Sequence, residues 1–151
     1  MPTVRIFIYL ETILGCLLRE TVNMFYIDGS VMHIQWELEY KQNMKFFEYN
    51  GFSVVAGTNA RENDVLTMSS RTGDLWFHAS GVPGSHVIVK SAANVDTDTI
   101  KFAAGIAAKM SKAPVGAVSV DYTDVSNVEK RKFSKAGEVF LLEFQTVYCR
   151  K

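Results

Sequence analysis

Residues 74–90 read DLWFHASGVPGSHVIVK, with Gly81-Val82-Pro83-Gly84 at their centre. This segment constrains the fold more than any other. Proline lacks the N–H that a central strand needs, and its fixed φ suits a turn. The flanking runs, Asp74–Ala79 and Ser85–Lys90, are rich in strand-forming residues. The chain must therefore run strand, loop, strand, and a sheet has to receive both arms. In the second arm, alternation puts Ser85, Val87 and Val89 on one face and His86, Ile88 and Lys90 on the other.

The neighbouring segments fit a sheet with helices on it. Lys45–Tyr49 and Phe52–Ala56 flank Asn50-Gly51, a strong signal for a tight hairpin. Asn59 can cap a helix over residues 60–70, and Glu62 completes a capping-box-like pair. Val65, Leu66 and Met68 are expected to form that helix's apolar side. Asp96 or Thr97 caps a longer helix reaching Lys112, with Ile100, Ala103, Ala104, Ala107 and Met110 as its buried stripe. Lys101 and Lys112 leave one side of it basic, with Lys109 near the rim. Val115–Thr123 reads as a strand, residues 126–135 as a polar loop, and 138–142 with 146–150 as a closing hairpin. The expected class is α+β: a mostly antiparallel sheet of about six or seven strands, two main helices packed on it, and an N-terminal extension.

That extension is residues 1–43, and the compact domain is expected over 44–151. Two readings of it stay open. It forms a helix over 4–20 with a hairpin turning at Asp28-Gly29, or Met44 is the true start. Its apolar run, Val4–Leu18, is broken by Arg5 and Glu11 and is shorter than the roughly 20 residues of a membrane span. No small-x-small cleavage site follows it. Cys16 and Cys149 lie too far apart to suggest a disulfide framework. A cytoplasmic protein with no membrane partner is the expectation.

Sixteen Lys and Arg balance sixteen Asp and Glu. That excludes a strongly cationic coat and leaves local basic patches open. Several clusters invite chemistry. His78, His86 and Asp121 could meet a metal, but their spacing matches no compact ligand motif. Ser85 beside His86 suggests a hydrolase, yet adjacent strand residues face opposite ways and no nucleophile elbow is present. The Gly81–Gly84 loop lacks the Lys-Ser/Thr pair of a phosphate loop. No catalytic residue, metal or cofactor is therefore expected. Trp76 reads first as core, and second as a stacking platform beside His78. Lys130-Arg131-Lys132-Phe133 reads first as a solvated loop, and second as phosphate contacts.

Four segments taken together are more specific. GTNARENDVLT (57–67), DLWFH (74–78), VPGSHVIVK (82–90) and VDYT (120–123) resemble, in order and spacing, the NFACT-R RNA-binding domain. That family's pattern falls on Asn59, Ala60, Asn63, Asp74, Trp76, His78, Pro83 to Val87, Ser111-Lys112 and Asp121 to Thr123. The domain forms the C-terminal part of large NFACT proteins, which include ribosome-associated quality-control factors that bind tRNA on stalled large subunits. It also occurs in stand-alone form, which this chain resembles. The resemblance implies a non-enzymatic RNA-binding module acting in translation, with tRNA or rRNA, and the large ribosomal subunit, as candidate partners. Where relatives often carry Pro before the VDYT-like segment and Lys-Pro-Gly in the late loop, this chain has Ser119 and Lys135-Ala136-Gly137.

The expected RNA contacts are Asn59, Arg61, Trp76, His78, Ser85, His86, Lys90, Lys109, Lys112, Lys130, Arg131 and Lys132. Lys90, Lys101, Lys109, Lys112 and Lys130 to Lys132 would meet phosphates. Trp76, His78, His86, Asn59 and Arg61 would line a face for ribose or an unpaired base, with His78, His86 and Lys90 as its exposed edge. Two rivals are an enzyme acting on RNA or nucleotides through His78, Ser85 and His86, and a protein-interaction subunit on the ribosome.

Overall fold

A computed structural model describes residues 43–151. The expected helix over 4–20 and hairpin at Asp28-Gly29 lie outside the described residues. The elements run β1 (Lys45–Tyr49), β2 (Phe52–Ala56), α1 (Ala60–Ser69), β3 (Leu75–Ala79), β4 (Val87–Val89), α2 (Thr97–Lys109) and β5 (Ala117–Asp124). A 3₁₀ turn (Val125–Asn127), β6 (Val128–Glu129), β7 (Phe140–Leu141) and β8 (Gln145–Arg150) complete them. The main sheet has the order β1-β2-β4-β3-β5-β8, and β6 and β7 form a small second sheet. All neighbours are antiparallel. The expected α+β class, with two helices on a six-stranded sheet, is what the structure shows.

Local chemistry explains the turns and caps. Asn50 and Gly51 both sit in the left-handed region (φ 49° and 80°), as a two-residue hairpin turn requires. Asn59 accepts from the Arg61 and Glu62 amides, and Asp96 accepts from the Thr99 amide. Glu62 reaches back to the Thr58 amide at 2.8 Å.

The sheet buries both faces. On one, Val54, Ala56, Phe77, Val87, Val89, Val118 and Val120 pack against Ala103, Ala104, Ala107 and Ala108 of α2. The small alanine side chains let the helix lie close on the sheet. On the other, Val55, Trp76 and Ile88 meet Leu66 of α1, with Val128 and Leu141 from the small sheet and Val139 just before β7. The strand expected over 85–90 is shorter, Val87–Val89, and within it the expected alternation holds: Val87 and Val89 enter the first layer, Ile88 the second.

Two expectations fail. Residues 138–150 do not form a hairpin, because β7 pairs with β6 while β8 pairs with β5. Leu141 belongs to one layer and Val147 and Cys149 to the other, so their apolar faces are claimed by different cores. Nor does α1 bury an apolar side. Val65 and Met68 are exposed, and its buried residues are Glu62, Asn63, Leu66 and Thr67. That helix docks mainly through hydrogen bonds.

Candidate nucleic-acid interface

The approach to β4 is held by one side chain of α1. Asn63 donates from Nδ2 to the Gly84 carbonyl at 3.0 Å and accepts at Oδ1 from the His86 amide at 3.0 Å. Thr67 Oγ1 shares a hydrogen bond with His86 Nδ1 at 2.8 Å. Gly57 is bare for the same reason: a Cβ there would stand 2.4 Å from Asn63 Oδ1. Asn63 thus acts as a splint between α1 and the loop after Pro83.

His86 is consequently interior, at 1% exposure. The expectation that it lies on an exposed edge is corrected: its strand face is covered by α1, which periodicity cannot reveal. Trp76, at 2% exposure, is interior too, so it is a core residue and not an accessible platform. Ser85 is also buried. The three rings stack into one cluster. Trp76 lies 5.0 Å from His86 and 5.8 Å from His78, and the two imidazoles are 5.4 Å apart, edge to face. Burial pushes the His86 pKa down to about 4; the nearby His78 adds to this, while the Asn63 and Gly137 backbones and Asp64 oppose it. Burial also lowers the His78 pKa, with Asp121 opposing.

This gives a stability prediction with a definite sign. Unfolded, His86 titrates near its ordinary 6.5; folded, it resists protonation until about pH 4. Below pH 6.5 the unfolded chain therefore binds the proton the fold refuses, and stability falls with pH. The loss should reach about 2 kcal/mol at pH 5 relative to pH 7. Urea midpoints measured at pH 7, 6 and 5 read it directly, and equal midpoints would contradict a neutral, buried His86.

His78 is the member of the cluster that reaches the surface, being half-buried. It pairs in register with Asp121 of β5, which pairs with Thr146 of β8. Thr146 Oγ1 donates to Asp121 Oδ1 at 2.7 Å, so the three share a face. Two residues on from Thr146, Tyr148 stands on that same face with 77% exposure, and Arg150 follows, also exposed. Tyr148 was missed in the sequence, although the alternation Thr146-x-Tyr148-x-Arg150 carries the signal. Gly84 closes the other side: a Cβ there would lie 3.1 Å from Ser111 Cβ and 3.6 Å from His78 Nε2. The Lys112 amide donates to the Pro83 carbonyl at 2.8 Å, which fixes Lys112 beside this corner.

The expected cations divide into two groups. Lys90 donates to Ser70 Oγ and Asp74 Oδ2, at 2.9 and 3.2 Å. Asp74 in turn accepts from the Arg71 and Ser91 amides, so it is a structural hub. Lys130 donates to both Asp64 carboxylate oxygens and to the Lys135 and Glu138 carbonyls. Both lysines are held by internal partners. Arg61, Lys109, Lys112, Arg131 and Lys132 are exposed. Asn59 is exposed, but its side-chain oxygen serves as the α1 cap.

Two of the three side chains named for the enzyme rival, Ser85 and His86, are buried. His86 is inaccessible and its Nδ1 is occupied by Thr67. Among the described residues, no group of three or more His, Cys, Asp or Glu could hold a metal. Nor, among them, is any helix long and apolar enough to cross a membrane.

Comparison with known proteins bears on the same residues. The profile of the NFACT protein RNA binding domain matches residues 42–141. The Rqc2 homolog RqcH of Bacillus subtilis (strain 168) is 39% identical over 101 residues, covering 66% of this chain and 18% of that protein. The Rqc2 homolog RqcH of Streptococcus suis (strain 05ZYH33) is 35% identical over 88 residues, covering 57% and 16%. The chain therefore spans a small part of the curated relatives it matches. The solved structure of the C-terminal of the fibronectin/fibrinogen-binding protein from Streptococcus suis aligns with a TM-score of 0.67 at 30% identity, covering 72% of this chain and 45% of that one.

Proposed function

The chain belongs to the NFACT protein RNA binding domain family, and on that premise we propose that it binds tRNA or rRNA in ribosome-associated quality control, in the cytoplasm. The family match over residues 42–141 is the observation that carries this reading. The compact RNA-binding unit is taken as residues 44–151. Arg61, Lys109, Lys112, Arg131 and Lys132 are the phosphate contacts, since all five side chains are exposed. His78 lies at the centre of the surface, with its outer face open to ribose or base. Trp76, Ser85 and His86 act from behind, by giving that surface its shape.

The test is a tRNA titration across a salt series. Cations that neutralise phosphates displace counterions, so log affinity should fall linearly with log salt. Five such contacts predict a slope of about −4. Replacing Lys109 and Lys112 by glutamine should reduce the slope by about 2 and weaken binding to all RNA sequences alike. An affinity indifferent to salt, or no binding at micromolar protein, would overturn the proposal.

A further inference from the structure

Phe133 is 92% exposed, the most exposed large hydrophobic side chain among the described residues. Its backbone is also in the left-handed region, at φ 70°. A bulky residue enters that region only at an energetic cost. The turn is Arg131–Ser134, closed by the Ser134 amide donating to the Arg131 carbonyl at 3.1 Å. Phe133 occupies its third position, where a positive φ favours glycine or asparagine. Neither burial nor turn chemistry explains a phenylalanine there.

The frame around it is anchored. Lys130 Nζ donates to Asp64 Oδ1 and Oδ2 at 2.8 and 3.0 Å, and to the carbonyls of Lys135 and Glu138 at 2.6 and 3.0 Å. The Lys135 amide donates to Glu138 Oε2 at 2.9 Å. The Arg131 guanidinium lies 3.8 Å over the Phe140 ring. Gly137 packs so closely on α1 that a Cβ there would stand 3.1 Å from Ala60 Cβ. The tip is thus presented outward on a fixed base, so little ordering entropy is lost on contact.

We propose that Phe133 is a stacking finger for an unpaired RNA base, with the adjoining phosphates held by Lys132 and Lys135. This rests on the RNA-binding reading above and names the part of the RNA that the late loop takes. The surroundings favour RNA over an apolar protein pocket: the tip from 131 to 135 holds Arg131, Lys132 and Lys135, all exposed, and no acid. The Lys132 ammonium sits 5.3 Å from the Phe133 ring, so charge and ring are presented together. A flat ring beside cations suits a base and its phosphate. Any base offers a π-face, so the contact tolerates any sequence but requires an unpaired nucleotide.

The test compares wild type with Phe133→Gly and Phe133→Trp on a short single-stranded RNA carrying 2-aminopurine and on a blunt duplex of the same sequence. Phe133→Gly should weaken single-strand binding about 5- to 100-fold. Duplex binding should change less than about twofold, since its bases are already stacked. Stacking quenches 2-aminopurine emission in wild type and in Phe133→Trp, and that quench should vanish in Phe133→Gly. Glycine accepts the positive φ, so Phe133→Gly should melt at or above the wild-type temperature. Equal losses on single strand and duplex overturn the stacking finger. Unchanged single-strand affinity also overturns it, and points the finger to a protein pocket instead. If wild type binds neither RNA, the RNA-binding reading itself has failed, and this inference with it.

Discussion

Asn63→Ala is expected to destabilise the fold by about 2–6 kcal/mol without touching any proposed RNA contact. The side chain is 4% exposed and satisfies two backbone groups, the Gly84 carbonyl and the His86 amide. Alanine strands both in the interior, and each orphaned group costs about 1–3 kcal/mol. Water cannot easily replace the amide, because Gly57 and α1 close on it from the other side. Asn63→Asp separates the two halves of the splint. It keeps the acceptor for His86 but sets a second oxygen against the Gly84 carbonyl, so it too should destabilise. Urea unfolding measures both as a shift in midpoint at constant slope. An alanine variant within about 0.5 kcal/mol of wild type would show that α1 is held by something other than this bond pair.

Trp76→Ala should cost about 3–5 kcal/mol, the loss expected on truncating a large buried aromatic. Trp76→Phe should cost far less, within about 1.5 kcal/mol. The indole Nε1 is buried and, among the described residues, has no hydrogen-bond partner, so phenylalanine removes that donor while keeping most of the ring. The pair decides the residue's role. A core tryptophan predicts that Trp76→Phe retains both fold and RNA affinity. If Trp76→Phe keeps the melting temperature but loses RNA binding, the indole touches RNA after all, and the surface must open to admit it.

These variants show where sequence reasoning about the candidate interface reached its limit. Asn50-Gly51, the Asn59 and Asp96 caps and the face assignment of residues 87–89 were legible, because each depends on residues adjacent in the chain. Whether a face is wet depends on what folds over it. His86 and His78 look alike in the sequence, yet one lies behind α1 bonded to Thr67 and the other opens beside Asp121. Lys130 looked like one of three solvated cations, but Asp64, 66 residues earlier, is brought to it by the fold. The apolar spacing in α1 was misleading for the same reason. Asn63 and Thr67 have partners waiting on the β4 side, while Val65 and Met68 stay exposed.

The stretch around Pro83 makes the division plain. By itself the sequence determined strand, loop and strand, the alternation of side chains along each strand, the α+β class and the family pattern. Those follow from torsional limits and short-range periodicity, which act within a few residues. Only the tertiary structure decided which polar groups in that pattern are structural and which face outward. It turned Asn63, Asp74, His86, Lys90 and Lys130 inward to satisfy one another and the backbone. Buried polar groups must find partners, and those partners come from distant parts of the chain. What stays outside, from His78 and Tyr148 to Phe133, is the surface left over once that requirement is met.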